Sequence, residues 1–451
     1  MVRSVEATVK HMLETYKQLK NERNFWFYLI SCIFSRIGDS IDVIAYSWIA
    51  YELTGSAVWL TLIIGVNALP TIFITPFIAP LIERFNKKRV MVITCLFRAA
   101  IVLITGTLML LGVLTAPMLL MATLVISISE SCADPAYMAS IPQIIPAEKL
   151  DAGIALRTMV SQISQLIGSG LGGICIGLWG GGGALLTDGT LFALASLALA
   201  TLKIKSKAAL ASQDKPKESY LDTLKAGFRY FTKRPPLILL CLIGVGYNLL
   251  LSPQNQLQTA YVVDTLHLDA YALSVIGVAS SIGMLIGSML YPLLKARINL
   301  SKTIVLCGVC LTFHYVTFVL LSLLAGMEWF KYGVLFLAGC VMPMSISFFN
   351  LMTNVLFFRV IDEGYLSRMA SIFNALGMVG IPLSSLYCGT LVSLMPITSV
   401  YLVSAALVLV SSLLVPKLKA MNALEALMVL KQPETPETAE ALLTASDAPE
   451  L

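Results

Sequence analysis

Residues 89–112 read RVMVITCLFRAAIVLITGTLMLLG. Past its first position this stretch holds a single charge, Arg98. A helix rises about 1.5 Å per residue, so roughly 20 apolar residues cross a hydrocarbon core of about 30 Å. The stretch therefore predicts a membrane-spanning helix. Similar runs lie on either side of it, at about 25–52, 57–82, 117–142, 150–178 and 182–202. A second set follows at about 236–264, 270–294, 302–325, 330–358, 366–392 and 396–416. The expected fold class is an all-α membrane protein with twelve transmembrane helices in two pseudo-symmetric six-helix bundles.

Composition points the same way. Of 451 residues, 57% are hydrophobic and 13% charged, against about a quarter charged in soluble domains. So few charges cannot cover a water-facing surface, and lipid must solvate much of the chain. The net charge is +5, and the charges are crowded into short connectors and nearly absent from the apolar stretches, a membrane-topology pattern rather than a nucleic-acid one.

The polar stretches set the domain limits: an N-terminal segment (1–24), a first bundle (25–202), a linker (203–235), a second bundle (236–416) and a tail (417–451). In the linker, Tyr220, Leu221, Leu224, Phe228 and Phe231 share one helical face, with Lys225, Arg229 and Lys233 interleaved. That pattern suits a helix lying on the membrane surface, or a soluble helix packed on other loops. The end of the tail, rich in Pro, Glu, Thr and Ala, reads as disordered.

Lys and Arg crowd into alternate connectors, beginning with the N-terminus, whereas the other connectors hold only Lys331. This bias predicts both termini in the cytoplasm, and hence an even number of spans. The first apolar run is too long for a secretory signal. The nine cysteines fall almost wholly in apolar stretches. Cys307 and Cys310 form a CxxC with no second pair or histidine cluster beside it, so they read as inert core residues. No metal site or cofactor is expected.

The halves echo one another. Thr75-Pro76-Phe77-Ile78-Ala79-Pro80-Leu81-Ile82 precedes a basic turn, as does Gly287-Ser288-Met289-Leu290-Tyr291-Pro292-Leu293-Leu294. Two parallel six-helix units around a central cavity are the architecture such repeats imply.

The first of these turns continues as Glu83-Arg84-Phe85-Asn86-Lys87-Lys88-Arg89. It resembles the loop between helices two and three of the major facilitator superfamily, G-x-L-a-D-R-x-G-r-K/R-x. Glu83 stands for the acid and Arg84 matches the base, while Asn86 replaces the second glycine. The resemblance implies a gate in which this loop locks the cytoplasmic ends of the halves together, with Glu83, Arg84, Lys88, Arg89, Arg157 and Arg368 as its charges. Gly168-Ser169-Gly170-Leu171-Gly172-Gly173 looks like the G-P-x-x-G-G signature of exporter branches, with Ser169 for proline. Thr54-Gly55-Ser56, the stretch from Asp134-Pro135-Ala136 to Lys149-Leu150, and Ser367-Arg368-Met369 resemble the macrolide-efflux-like drug:proton antiporter branch. In the fourth span, where the family often carries an arginine, this chain has Leu124-Val125-Ile126-Ser127.

A charge inside a bilayer costs a few kcal/mol and normally faces a cavity or a partner. The first span holds Arg36, Asp39 and Asp42 near its middle, spaced by three on one broad face. Arg36 can pair with either acid and leave the other to bind H⁺ or a cationic substrate, as a proton-coupled antiporter requires; the alternative is a permanent structural ion pair. Glu130 and Asp134 share a face of the fourth span and are candidates for the same cavity. Arg98 and Arg157 read as snorkelling residues or partners of Glu83. Asp188 and Asp264 read as solvated near helix ends, and His314 as hydrogen-bonded filler. Tyr247, Asn248, Gln254, Asn255 and Gln258, together with Phe349, Asn350, Asn354 and Trp48, could line an amphipathic pocket. Pro253 should break or kink its helix.

The sequence thus reads as a secondary active exporter of an amphiphilic small molecule such as a drug or siderophore, exchanging it for H⁺ by alternating access. The expected setting is a bacterial plasma membrane, and the expected partners are substrate, coupling ion and lipid, with no nucleic acid and a monomeric chain. A lysolipid or lipid flippase and a solute importer of the same fold are the alternatives. An integral-membrane enzyme or sensor would need a catalytic cluster or an appended soluble domain, and neither a nucleotide-binding loop nor an H-E-x-x-H motif is found.

Overall fold

The computed structural model describes residues 19, 22–75, 78, 82, 85–146, 149–203, 229, 231–232, 235–294, 298–324, 326–361, 366–418 and 421. The expectations for residues 1–18, Glu83, Arg84, most of the linker, the side chain of Arg368 and nearly all of the tail fall outside them.

Every regular element among the described residues is helical. In chain order they are α1 (Arg23–Thr54), α2 (Ala57–Phe73), α3 (Lys87–Leu110), α4 (Ala116–Ile144), α5 (Leu150–Ala200) and α6 (Pro235–Ala260). A π-helical turn (Tyr261–Thr265) follows, then α7 (Ala270–Leu294), α8 (Leu300–Leu321), α9 (Glu328–Val360), α10 (Leu366–Leu394) and α11 (Ile397–Leu414). Nine helical stretches among the described residues are long and apolar enough to cross a membrane. The long helix α1 is not one of them, because Arg36, Asp39 and Asp42 interrupt its apolar run.

The 51 residues of α5 would reach about 76 Å if straight, more than twice a bilayer core. Gly180 divides them. Its φ of 70° and ψ of 177° lie where only glycine is unstrained, so the chain turns back without a loop. The arm 150–179 and the arm 181–200 are two helices joined by one residue.

The echo between the halves has a structural counterpart at their helix starts. The Asn86 side chain accepts the backbone N–H of Arg89 at the start of α3. Asn299 does the same for Lys302 at the start of α8. Both supply a partner to an otherwise orphaned first-turn donor. The asparagine that departs from the family glycine is thus a helix cap. Pro253 does not break α6, which is helical throughout; the Tyr315 hydroxyl donates to the Leu250 carbonyl in the preceding turn at 2.7 Å.

The apolar core is arranged unequally along the bundle axis. At the end holding the connectors 55–56, 111–115 and 266–269, one cluster spans both halves, including Ile49, Leu60 and Leu185 with Tyr261, Leu273 and Tyr401. At the end carrying the termini the clusters are separate: Phe25, Met91 and Leu199 in the first half, Leu237, Leu300 and Phe357 in the second. Across the halves α2 packs on α10, and the first arm of α5 packs on α7.

Small residues make that approach possible. A Cβ on Gly65 would sit 2.8 Å from the Ser385 Cβ, and one on Gly389 would sit 2.8 Å from the Thr61 Oγ1. The backbone N–H of Gly173 donates to Ser274 Oγ at 2.7 Å, and that hydroxyl donates on to the Gly170 carbonyl at 2.9 Å. The glycine-rich stretch picked out in the sequence is therefore the seam with the second half.

Candidate functional site

Where the halves part, α1, α3 and α4 turn a set of charged side chains inward. Helical spacing of three puts Arg36, Asp39 and Asp42 on one side of α1, and α3 supplies Arg98 opposite them. One terminal nitrogen of Arg98, Nη2, lies 2.9 Å from Asp39 Oδ1, 2.9 Å from Glu130 Oε1 and 3.8 Å from Asp42 Oδ2. Its guanidinium also stacks over the Phe192 ring, 4.0 Å from the centroid, a cation–π contact in a desolvated setting. Arg36 takes the outer side: Nη1 is 3.5 Å from Asp39 Oδ2, and Nε donates to Ser161 Oγ at 2.9 Å. The Arg98 side chain is 9% exposed, against 49% for Arg36, so Arg98 is the cluster's buried centre.

This corrects the placement drawn from sequence. Arg98 does not snorkel; it is the counter-ion of carboxylates on α1 and α4. Asp188 is likewise not a solvated end residue but fully buried beside Asp42. Gly38 allows this: a Cβ there would lie 2.6 Å from Asp188 Oδ1 and 3.3 Å from the Phe192 ring.

The cluster faces a cavity of about 820 Å³, within the 300–1,000 Å³ range of small-molecule sites. Arg36, Asp39, Asp42, Glu130 and Asp134 all line it, as does Arg157. Towards the terminal end its wall includes Tyr28 and Tyr137, whose rings lie 6.3 Å apart; deeper in it is formed by Ala50, Leu60, Ile63 and Ile126. The site thus joins acidic groups to an apolar and aromatic surface.

The second half contributes less than the sequence suggested. Of its expected pocket residues only Asn255 lines this cavity among the described residues. Tyr247 stacks on Phe349 at 4.9 Å and donates to the Ile304 carbonyl at 2.7 Å. Gln254 donates to Gln258 at 3.0 Å. Trp48 packs against the shared apolar core, and Asn248, Asn350 and Asn354 are exposed elsewhere on the helices. Of these, Tyr247 is both covered and hydrogen-bonded within its half, whereas Gln254 keeps a buried Oε1 without a partner among the described residues. His314 is the filler it was read as, with Nδ1 2.9 Å from the Ala338 carbonyl. Asp264 accepts from Tyr51 of the other half. Lys88 and Arg89 open α3. No group of three or more histidine, cysteine or acidic residues suited to a metal ion occurs among the described residues.

The missed members had a readable signal. Four acids on α1 and α4, Asp39, Asp42, Glu130 and Asp134, outnumber Arg36, so a second buried cation was owed, and Arg98 is the lone charge inside its span.

Two helical halves that share one core at one end, with an ion-lined cavity walled mainly by the first half, suit a polytopic membrane transport protein. The chain belongs to the Major Facilitator Superfamily, whose profile matches residues 28–385. It is 21% identical over 392 residues to macrolide efflux protein A of Streptococcus pyogenes, covering 87% of this chain and 95% of that protein. It is 23% identical over 278 residues to the multidrug efflux pump Tap of Mycobacterium tuberculosis, covering 60% and 65%. In fold it resembles the nucleoside transporter NupG, with a TM-score of 0.72 at 13% identity over 88% of this chain and 98% of that one. It also resembles a bacterial homologue of the iron transporter ferroportin, with a TM-score of 0.65 at 16% identity over 89% and 98%.

Proposed function

We propose that this protein is a secondary active exporter of amphiphilic small molecules, driven by proton entry and working by alternating access. The observation that carries the reading is the cluster of Asp39, Asp42 and Glu130 around Arg98, set in the wall of an apolar, aromatic cavity. Carboxylates so placed can exchange a proton for a cationic group, and the greasy wall can hold the rest of the ligand. The efflux relatives support the direction of transport.

The chain is read as twelve spans, six in each half, with the two arms of α5 counted separately. Both termini lie in the cytoplasm by the distribution of Lys and Arg, and the membrane is the bacterial plasma membrane. The described arrangement then opens inward, since the halves part at the terminal end. Glu83, Arg84, Lys88, Arg89, Arg157 and Arg368 would close that end when the halves rock. The working unit is the single chain.

The test is a toxicity and uptake screen in an efflux-deficient bacterium, using ethidium and macrolides as probes, with wild type beside Asp39→Asn and Asp42→Asn. Export that collapses with a protonophore and is lost in both variants supports the reading. Unchanged gradient-driven export in both removes the carboxylates from coupling.

A further inference from the structure

Asp188 belongs to the second arm of α5 and has no role in the reading above. Its side chain is fully buried, and neither carboxyl oxygen has a hydrogen-bond donor among the described residues. Asp42 Oδ1 is in the same position. Asp188 Oδ1 lies against Gly38 of α1, one turn before Asp42, so the two carboxyl groups are neighbours in one buried site. Two ionised carboxylates offer acceptors only, whereas one proton makes one of them a donor to the other. An unpaired buried charge is far costlier than a paired one, so a proton is the simplest partner this site can have.

The surrounding charges argue likewise. Facing the pair are Asp39 and Tyr46 from α1, Arg98 from α3 and, through Arg98, Glu130 from α4. Arg36 and Arg98 are two cations set against four acids, Asp39, Asp42, Glu130 and Asp188. Arg98 spends its short contacts on Asp39 and Glu130, at 2.9 Å each, and reaches Asp42 only at 3.8 Å.

Asp188 is also set apart from the cavity. Asp42, Arg98 and Phe192 form part of the cavity wall, and Asp188 stands behind them. The Arg98 guanidinium and the Phe192 ring, stacked at 4.0 Å, screen it. Gly38 leaves the space Asp188 fills.

We propose that Asp42, in the cavity wall, and Asp188, behind it, form a proton-holding pair that shares one proton, with Arg98 and Phe192 screening Asp188. Its part in transport rests on the exporter reading; its existence does not.

The test needs no substrate. The full chain is purified into phospholipid nanodiscs, and the infrared C=O band of a protonated carboxylic acid is recorded at neutral pH. The band is expected in wild type and in Asp39→Asn, and lost in Asp188→Asn. A band that survives in Asp188→Asn, or vanishes in Asp39→Asn, overturns the proposal. Should Asp188→Asn fail to fold, wild-type protein is treated with dicyclohexylcarbodiimide, which modifies protonated carboxyls in apolar surroundings, and its peptides are mapped. Label on Asp42 or Asp188 supports the pair; label absent from both overturns it. Gradient-independent export alongside an intact Asp188 band would remove the coupling reading alone.

Discussion

The hydroxyl of Tyr51, near the end of α1, donates to the carboxylate of Asp264 in the π turn that follows α6. This bond ties the first half to the second at the end where they share one core. A hydrogen bond to a charged group at an accessible site is worth about 1 kcal/mol. Tyr51→Phe should therefore open the tie about fivefold more often. Amide hydrogen exchange of residues 50–54 and 260–266 should quicken by that factor, with residues 24–30 unchanged.

The seam between α5 and α7 is steric. Gly173 lies against the Ala270 carbonyl and Ser274, and a large side chain there must push the helices apart. Gly173→Leu should speed exchange in both 168–178 and 270–278. Gly244→Leu, where a Cβ meets nothing within 4 Å, should leave those segments as they are.

Removing the central cation leaves acids without a counter-charge. Arg98→Met should destabilise the purified protein by about 3 kcal/mol, the low end for a broken buried pair, because Glu130 is 35% exposed. Adding Glu130→Gln should return part of that loss. A double-mutant cycle on thermal stability reads the coupling, and strict additivity of the two changes would remove the contact from the account.

Gly38→Ala should cost about 1–3 kcal/mol by overpacking, since the new methyl meets Asp188 and Phe192. An Ala at this helical position would otherwise gain about 1 kcal/mol. A variant as stable as wild type in a melting assay would mean that α1 and the second arm of α5 can part freely here.

Periodicity and composition carried the architecture well, because a bilayer admits so few solutions. Ranges such as 25–52 and 89–112 lie within a few residues of α1 and α3. The acids Asp39, Asp42, Glu130 and Asp134 were legible for a similar reason, since a charge in lipid must face something. What was not legible was which neighbour each would find. Arg98 meets Asp39 and Glu130 only because α3 packs between α1 and α4, and helix neighbours are not written in any single span. The amides and aromatics of the second half show the opposite error. Tyr247 looks like a cavity residue by type, but its hydroxyl donates to the Ile304 carbonyl and its ring stacks on Phe349 within the same half.

Gly180 carries a mechanical consequence. The arm before it is seamed to the second half through Gly173 and Ser274, and the arm after it bears Asp188. With a single residue between them there is no slack to absorb a displacement. When the seam shifts, the helix holding the hidden acid is dragged along, as the short arm of a lever follows the long one.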